Sequence, residues 1–357
     1  MAYRNQKSVE LFITTAPQPT INTPIETHAD YSRFKAEPFD APVPQPDLMG
    51  DGGEVGDGVG YEQNIWMYRW QPMNLTLNGK LNDVLFPKLF ARVLGGTVVD
   101  AVVTASSSYD HTIPMATELE LVQPKLSTII TKGAPQFIWP DAFVRSLTIS
   151  QEGDEHPRFS AELGNSGMHK AVADSSIVLG SVTALSTDYF TPRFHGAYTS
   201  FTYNDGSAQD LTTARGLCNV SVRLTQPTNV VFLPGDSFLT SGDPTTGSYS
   251  ATLQRTTQEA DIIQFRVYAD TPLAQWAKLK AGTVLTNVIV KFRGKKIGVT
   301  TDNYEVEVKL TRGQFVVHAP TTQGEYEAFD VTIRALPDST TKRLAIGRVR
   351  NATATLV

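Results

Sequence analysis

The residues whose types suit chemistry are few and scattered along the chain. Asp47, Asp51, Glu54 and Asp57 lie in and beside GDGGEVGDGVG, where carboxylates on a flexible backbone offer the oxygen ligands that calcium takes. Their spacing does not match the twelve-residue calcium loop, so the stretch reads as a plain acidic loop. It also lacks the Gly-Lys-Ser/Thr ending of a phosphate loop and the strand-before-helix setting of a dinucleotide turn. The six histidines, His28, His111, His156, His169, His195 and His318, include no two at the spacing that sets paired metal ligands on one helix face. Tyr109-Asp110-His111 brings an acid and an imidazole together, but no G-x-S-x-G elbow supplies a nucleophile. Glu305 and Glu307 imitate a catalytic carboxylate pair. Alternating with Val306 and Val308, they read instead as one solvated face of a strand. The expectation is a protein with no active site, no cofactor and no metal.

Bulk properties narrow the class. The chain has 357 residues, 19% charged and 41% hydrophobic, which suits folded domains and argues against disorder over most of its length. Its length favours two domains over one. The formal charge of −5 disfavours tight nucleic-acid binding, because grip on a phosphate backbone comes from clustered Lys and Arg. Cys218 is the only cysteine, so an intrachain disulfide and a multi-cysteine zinc site are both excluded. The opening MAYRNQKSVELFITTAPQP lacks the apolar core of a signal peptide, and no apolar run approaches the ~20 residues of a membrane span. The sequence thus predicts a soluble chain that folds in a cytoplasm.

Several elements can be read along the chain. Residues 1–64 predict an extended N-terminal arm and loop: from residue 16 the proline- and glycine-rich texture forbids regular structure. Tyr31, Phe34 and Phe39 would be wasted in a free linker, so the arm is expected to lie along a neighbouring surface. IWMYRWQPMNLTLNG reads as a strand. Leu81, Val84, Leu85, Leu89, Phe90 and Val93 recur at helical spacing and end at Gly95-Gly96, with Asn82, Asp83 or Pro87 marking the start. A second corner repeats this grammar, with Asp270 or Thr271 as cap and Pro272 first. Leu273, Trp276 and Leu279 form its buried stripe and Gly282 its stop.

Aligning Gly96 with Gly282 matches Ala91, Thr97, Val98 and Val102 to Ala277, Thr283, Val284 and Val288. Strands follow both corners. Tyr304, Val306, Val308 and Leu310 form one, TRGQ turns the chain into FVVH, and Phe329, Val331 and Ile333 alternate in another before LPDSTTKR turns into the last. FVRSLTIS and RFSAEL flank a polar hairpin, QEGDEHP. The predicted class is mainly β: an antiparallel β-sandwich or partial barrel with flanking short α-helices, in two similar domains at 65–195 and 196–357.

LNGKLNDVLFPKLFARVLGG, FVRSLTISQEGDEHPRFSAELGNSG and FDVTIRALPDSTTKRLAIGRVRNATATL, with the second corner, resemble the major tail tube proteins of long-tailed phages. No single motif carries the resemblance; the order and texture of the stretches do, over most of the chain beyond the arm. The resemblance implies packed antiparallel sheets whose edges join neighbouring copies into a ring, hexameric for one domain per chain and trimeric for a duplicated one. Rings stack into a hollow virion tail tube, assembled in the host cytoplasm, through which duplex DNA passes without tight binding. Partners implied in this way are further copies of the chain and the tail terminator, tape-measure and baseplate proteins, with no membrane.

Elementary physics agrees with this expectation. Unpaired sheet edges template association, and closure into a ring satisfies them. A head-to-tail stacking contact does not close and makes a filament. An acidic lumen lets DNA slide where a basic one stalls it. In these terms Tyr31, Phe34 and Phe39 are candidate contacts between rings, and Glu305 and Glu307 candidate lumen residues. The loop in VVFLPGDSFLTSGDPTTGSYSATL is a second candidate bridge, projecting from a hairpin. Competing readings are another tail component (terminator, collar or baseplate) and a carbohydrate-binding β-sandwich. The latter calls for exposed aromatics, a role that Trp66, Trp70, Trp139 and Trp276 do not obviously fill.

Overall fold

A computed structural model of the chain describes residues 10–21, 23–34, 37–50, 65–104, 107–117, 120–121, 123–133, 136–182, 198–211, 216–231, 252–256, 258–268 and 272–356. The fold is mainly β, with antiparallel sheets and few helices. The first half carries β1 (Glu10–Thr14), β2 (Tyr31–Phe34), β3 (Pro46–Gly50), β4 (Ile65–Trp70), β5 (Asn74–Lys80) and α1 (Leu85–Leu94). It continues with β6 (Val99–Thr104), β7 (Ser108–Pro114), β8 (Ser127–Lys132), β9 (Gln136–Glu152), β10 (Arg158–Gly164) and β11 (Lys170–Ala171). The second half carries β12 (Tyr198–Asn204), β13 (Ala208–Asp210), β14 (Leu217–Thr225), β15 (Thr228–Val231), β16 (Thr252–Arg255) and β17 (Asp261–Tyr268). Then come α2 (Pro272–Lys280), β18 (Val284–Lys296), β19 (Asn303–Gln323), β20 (Tyr326–Leu336) and β21 (Ile346–Asn351).

The same pairing order surrounds each helix. β5, just before α1, pairs with β10, the second arm of the β9–β10 hairpin. β17, just before α2, pairs with β20, the second arm of the β19–β20 hairpin. β14 joins the two sets, pairing with β9 on one side and β17 on the other. The result is a continuous run β5-β10-β9-β14-β17-β20-β19, extended past β19 by β18, β12 and β13. The N-terminal half of β19 also pairs with β21, which pairs with β7, which pairs with β6. The division at residues 195/196 is therefore crossed by two strand pairings, and one hydrophobic cluster runs from Leu77 and Phe90 through Leu147 and Val222 to Val306 and Ile333.

Local chemistry explains the corners. Asn82 Oδ1 accepts from the backbone N–H groups of Val84, Leu85 and Phe86 at 3.2, 2.8 and 3.2 Å and so starts α1. Gly95, at φ 74°, stops it, with its N–H on Ala91 O at 3.0 Å. In the second corner Gly282 is left-handed at φ 63°, and Thr283 N–H reaches Lys278 O at 3.0 Å. The conformational equivalent of Gly282 is thus Gly95, one residue away from the Gly96 of the sequence alignment. Gly96 answers a different need: a Cβ there would stand 3.0 Å from Pro114 Cγ and closer still to the Pro114 carbonyl.

Two further expectations are corrected. TRGQ is no turn; β19 runs straight through it, and Gly313 is where a side chain would meet Ile333 Cγ2 at 2.9 Å. Trp276 does not belong to a buried stripe, being 50% exposed, while Gln275 is buried beneath Tyr203. The caps Asp270 and Thr271 lie outside the described residues. The β9–β10 hairpin and the turn at 337–343 form where the sequence puts them.

Candidate assembly surface

Along the long run of strands, one face packs on the core and the other is polar. Ser150, Ser221, Gln264 and Thr332 stand side by side on β9, β14, β17 and β20, and Glu152, Asn219, Arg266 and Asp330 form the next row. Together they floor an open groove of about 440 Å³. Arg266 is already committed, donating to both carboxylate oxygens of Asp330 at 2.8 and 3.2 Å. The floor offers hydroxyls, amides and the Arg266–Asp330 ion pair, with the exposed carboxylate of Glu152 beside them.

The face continues across β18, β19, β21 and β7 as two rows of alternating charge. The register sets Arg293 beside Glu305, Glu305 beside Arg350, and Arg350 beside Asp110. One step along, Lys291 faces Glu307 and Glu307 faces Arg348. Arg293 Nε donates to Glu305 at 3.1 Å, Arg348 Nη2 donates to Glu307 at 2.9 Å and to Glu305, and Lys291 Nζ reaches Glu307 at 3.0 Å. Arg350 grips Asp110 with two bonds of 2.7 and 2.9 Å. Burial alone would push the Asp110 carboxyl up, but the Arg350 hydrogen bonds and the nearby Arg348, Arg350 and His111 charges bring it below the usual carboxylate range.

This arrangement corrects the expectation of a wet acidic face. Glu305 is only 2% exposed, because the arginine side chains of the flanking strands fold over it. The cations Lys291, Arg293, Arg348 and Arg350 meet the carboxylates Asp110, Asp302, Glu305 and Glu307, four against four.

β6 is the outer strand of this side. Among the described residues it pairs only with β7, and all six of its residues are exposed, with Val99 at 59%, Val102 at 63% and Val103 at 40%. Its far end is pinned, since Thr104 Oγ1 and Ser108 Oγ both donate to Asp302 Oδ2 at 2.6 Å. Those two hydroxyl bonds hold the Asp302 carboxyl below its ordinary value. His111, fully buried on β7, spans Asp100 Oδ1 at 2.6 Å and Asn351 Oδ1 at 2.9 Å, so β6, β7 and β21 are tied by side chains as well as backbone. The edge is thus firmly built and apolar, a template for another strand.

The arm aromatics do not serve as predicted. Tyr31, Phe34 and Phe39 are buried within their own chain, because β2 pairs with β1 and β1 with β8, which folds the arm onto the body. Tyr31 donates its hydroxyl to Ile25 O, and burial raises its phenol far above the usual value. A contact between copies cannot use side chains already spent in this core.

Asp51, Glu54, Asp57, His195 and residues 232–250 lie outside the described residues, although β15 and β16 pair on either side of the last stretch, as a projecting hairpin requires. Among the described residues no group of three or more His, Cys, Asp or Glu is placed to hold a metal. His169 packs among Trp70, Phe137 and Trp139, where burial lowers its imidazole. No helix among the described residues is long and apolar enough to cross a membrane.

Sequence reasoning read a strand after the first corner, where β6 lies, but missed that it is an exposed edge, and it missed the arginines of β21. The signals were present in VVDAVV, apolar at every position but one, and in the alternation of IGRVRN. A scan of the sequence against protein-family models finds no match, and a search among curated proteins finds none.

Proposed function

We propose that this chain is a structural subunit that joins sheet edges with further copies of itself, forms rings, and stacks them into the hollow tail tube of a phage virion. The observation that carries the reading is β6, an apolar edge exposed along its whole length at the margin of a sheet that runs through both halves of the chain. Such an edge is an association site unless something blunts it, and here the only charge on the strand, Asp100, is turned to His111. The recurrent pairing order around α1 and α2 supports two related units per chain, and hence a trimer with six similar lobes.

The polar sheet face suits the inner wall. In the tube, duplex DNA slides past hydroxyls, amides and cations such as Lys291, Arg293 and Arg350 that are already matched to carboxylates, which weakens their hold on phosphates. This differs from a wall that works by net repulsion. The polymer performs no bond chemistry, and its partners are its own copies and the terminator, tape-measure and baseplate proteins of the tail.

Negative-stain electron microscopy of the purified full-length chain tests the reading. Hollow tubes with three-fold cross-sections of six lobes are expected. Isolated rings that never stack point to a terminator or collar instead, plain hexamers contradict two units per chain, and a persistent monomer at high concentration defeats the proposal.

A further inference from the structure

We propose that Lys88, Arg92 and Ser127 bind a small inorganic anion of halide size beneath α1. Lys88 and Arg92 stand one helical turn apart and line the same cavity, walled otherwise by apolar groups such as Ile13, Ile129 and Phe143. Arg92 is only 5% exposed; its Nε donates to Ser127 Oγ at 3.0 Å, while its Nη2 is buried with no acceptor. Among the described residues no carboxylate pairs with either cation. Elsewhere in the molecule buried or half-buried arginines such as Arg348 and Arg350 are matched to acids. A guanidinium taken out of water with an unmet donor is costly, and two adjacent cations without a counter-charge repel.

Burial pushes the Lys88 ammonium down to about 8, helped by the Arg92 charge, and pushes the Arg92 guanidinium down to about 10. Both shifts come first from burial, and among the described residues no nearby acid offsets either. The occupant must be small: the cavity is about 10 Å³, room for one water-sized guest and too little for phosphate or sulfate. Water would meet the Arg92 donor yet leave both charges uncompensated. A chloride ion, little larger than a water molecule, meets the donor and offsets the charges together.

The test is thermal unfolding of the full chain in sodium chloride against sodium gluconate at equal ionic strength, with the ³⁵Cl NMR line width as a second readout. Chloride is expected to raise the midpoint by about 3 °C or more at saturating concentration. It is also expected to show excess ³⁵Cl broadening that Lys88→Met, a substitution of similar length at a partly exposed position, reduces severalfold. Equal midpoints in chloride and gluconate mean that water alone occupies the cavity and overturn the proposal, with no variant needed. Broadening that is the same in wild type and Lys88→Met overturns it too, since chloride then acts elsewhere.

Discussion

Asp110 shows what a single carboxylate does on this sheet. Two hydrogen bonds from Arg350 and the Arg348 charge hold it, and through it β7 is fastened to β21. Its folded-state value lies below the ordinary carboxyl value, so its contribution is present in full above the unfolded value of about 4 and is lost as the pH falls through the lowered one. Asp110→Asn keeps the shape and removes the charge. It is expected to cost about 2 kcal/mol at pH 7 and to flatten the loss of stability on acidification, as read from urea midpoints between neutral and acid pH. Equal acid slopes for both proteins would show that the carboxylate is idle. The sequence placed Asp110 beside His111 as neighbours along the chain, yet their partners, Arg350 and Asn351, lie more than two hundred residues away. Pairings of that kind depend on strand register, which one sequence does not disclose. Glu305 illustrates the same limit, because alternation correctly puts it opposite Val306 but says nothing of the arginines that cover it.

At the scale of elements, periodicity was a dependable guide wherever one face of a strand meets the core. The alternation in β20 and the hairpin between β9 and β10 are as read, since both follow from local pattern and turn chemistry. Glycine was ambiguous, because the same residue serves a turn or a close approach. Gly313 and Gly347 are of the second kind. Gly347 lets α1 settle on β21: a Cβ there would stand within 2.5 Å of Phe90 Cζ and would collide with Leu94 as well. Gly347→Ala is therefore expected to lift the helix and cost about 1–3 kcal/mol. Adding Phe90→Leu to it should recover part of that loss, a coupling that a double-mutant cycle of thermal or urea stabilities measures. Strictly additive costs would mean that the helix does not rest on this strand. The contrast with α2 has a similar origin. Its sequence carries an apolar stripe, of which Leu279 packs against the core while Trp276 is left half in water and Gln275 is buried, so the two helices share a stop signal but not the same buried pattern.

For the whole molecule, the class was legible and the connectivity was not. Two halves with a helix each could be read from residue patterns, whereas the bridging role of β14 and the pairing of β7 with β21 are contacts between distant segments. The arm shows the same gap: its aromatics were correctly recognised as needing a surface, and that surface is the chain's own. Among the described residues β6 is an edge strand with exposed apolar side chains, and there assembly and folding separate cleanly. Val102 is 63% exposed and its strand has a partner on one side only, so Val102→Lys removes little from the isolated chain, within about 0.5 kcal/mol. The same change puts an ammonium where a neighbouring strand must approach, the device by which natural sheet edges refuse one another. Sedimentation velocity on the variant is expected to show the unassembled species at concentrations where the wild type forms large particles, with an unchanged melting midpoint for the unassembled chain. Wild-type-sized particles from Val102→Lys would move the contact between copies away from β6 and leave the polar face and the paired halves without the edge that is proposed to join them.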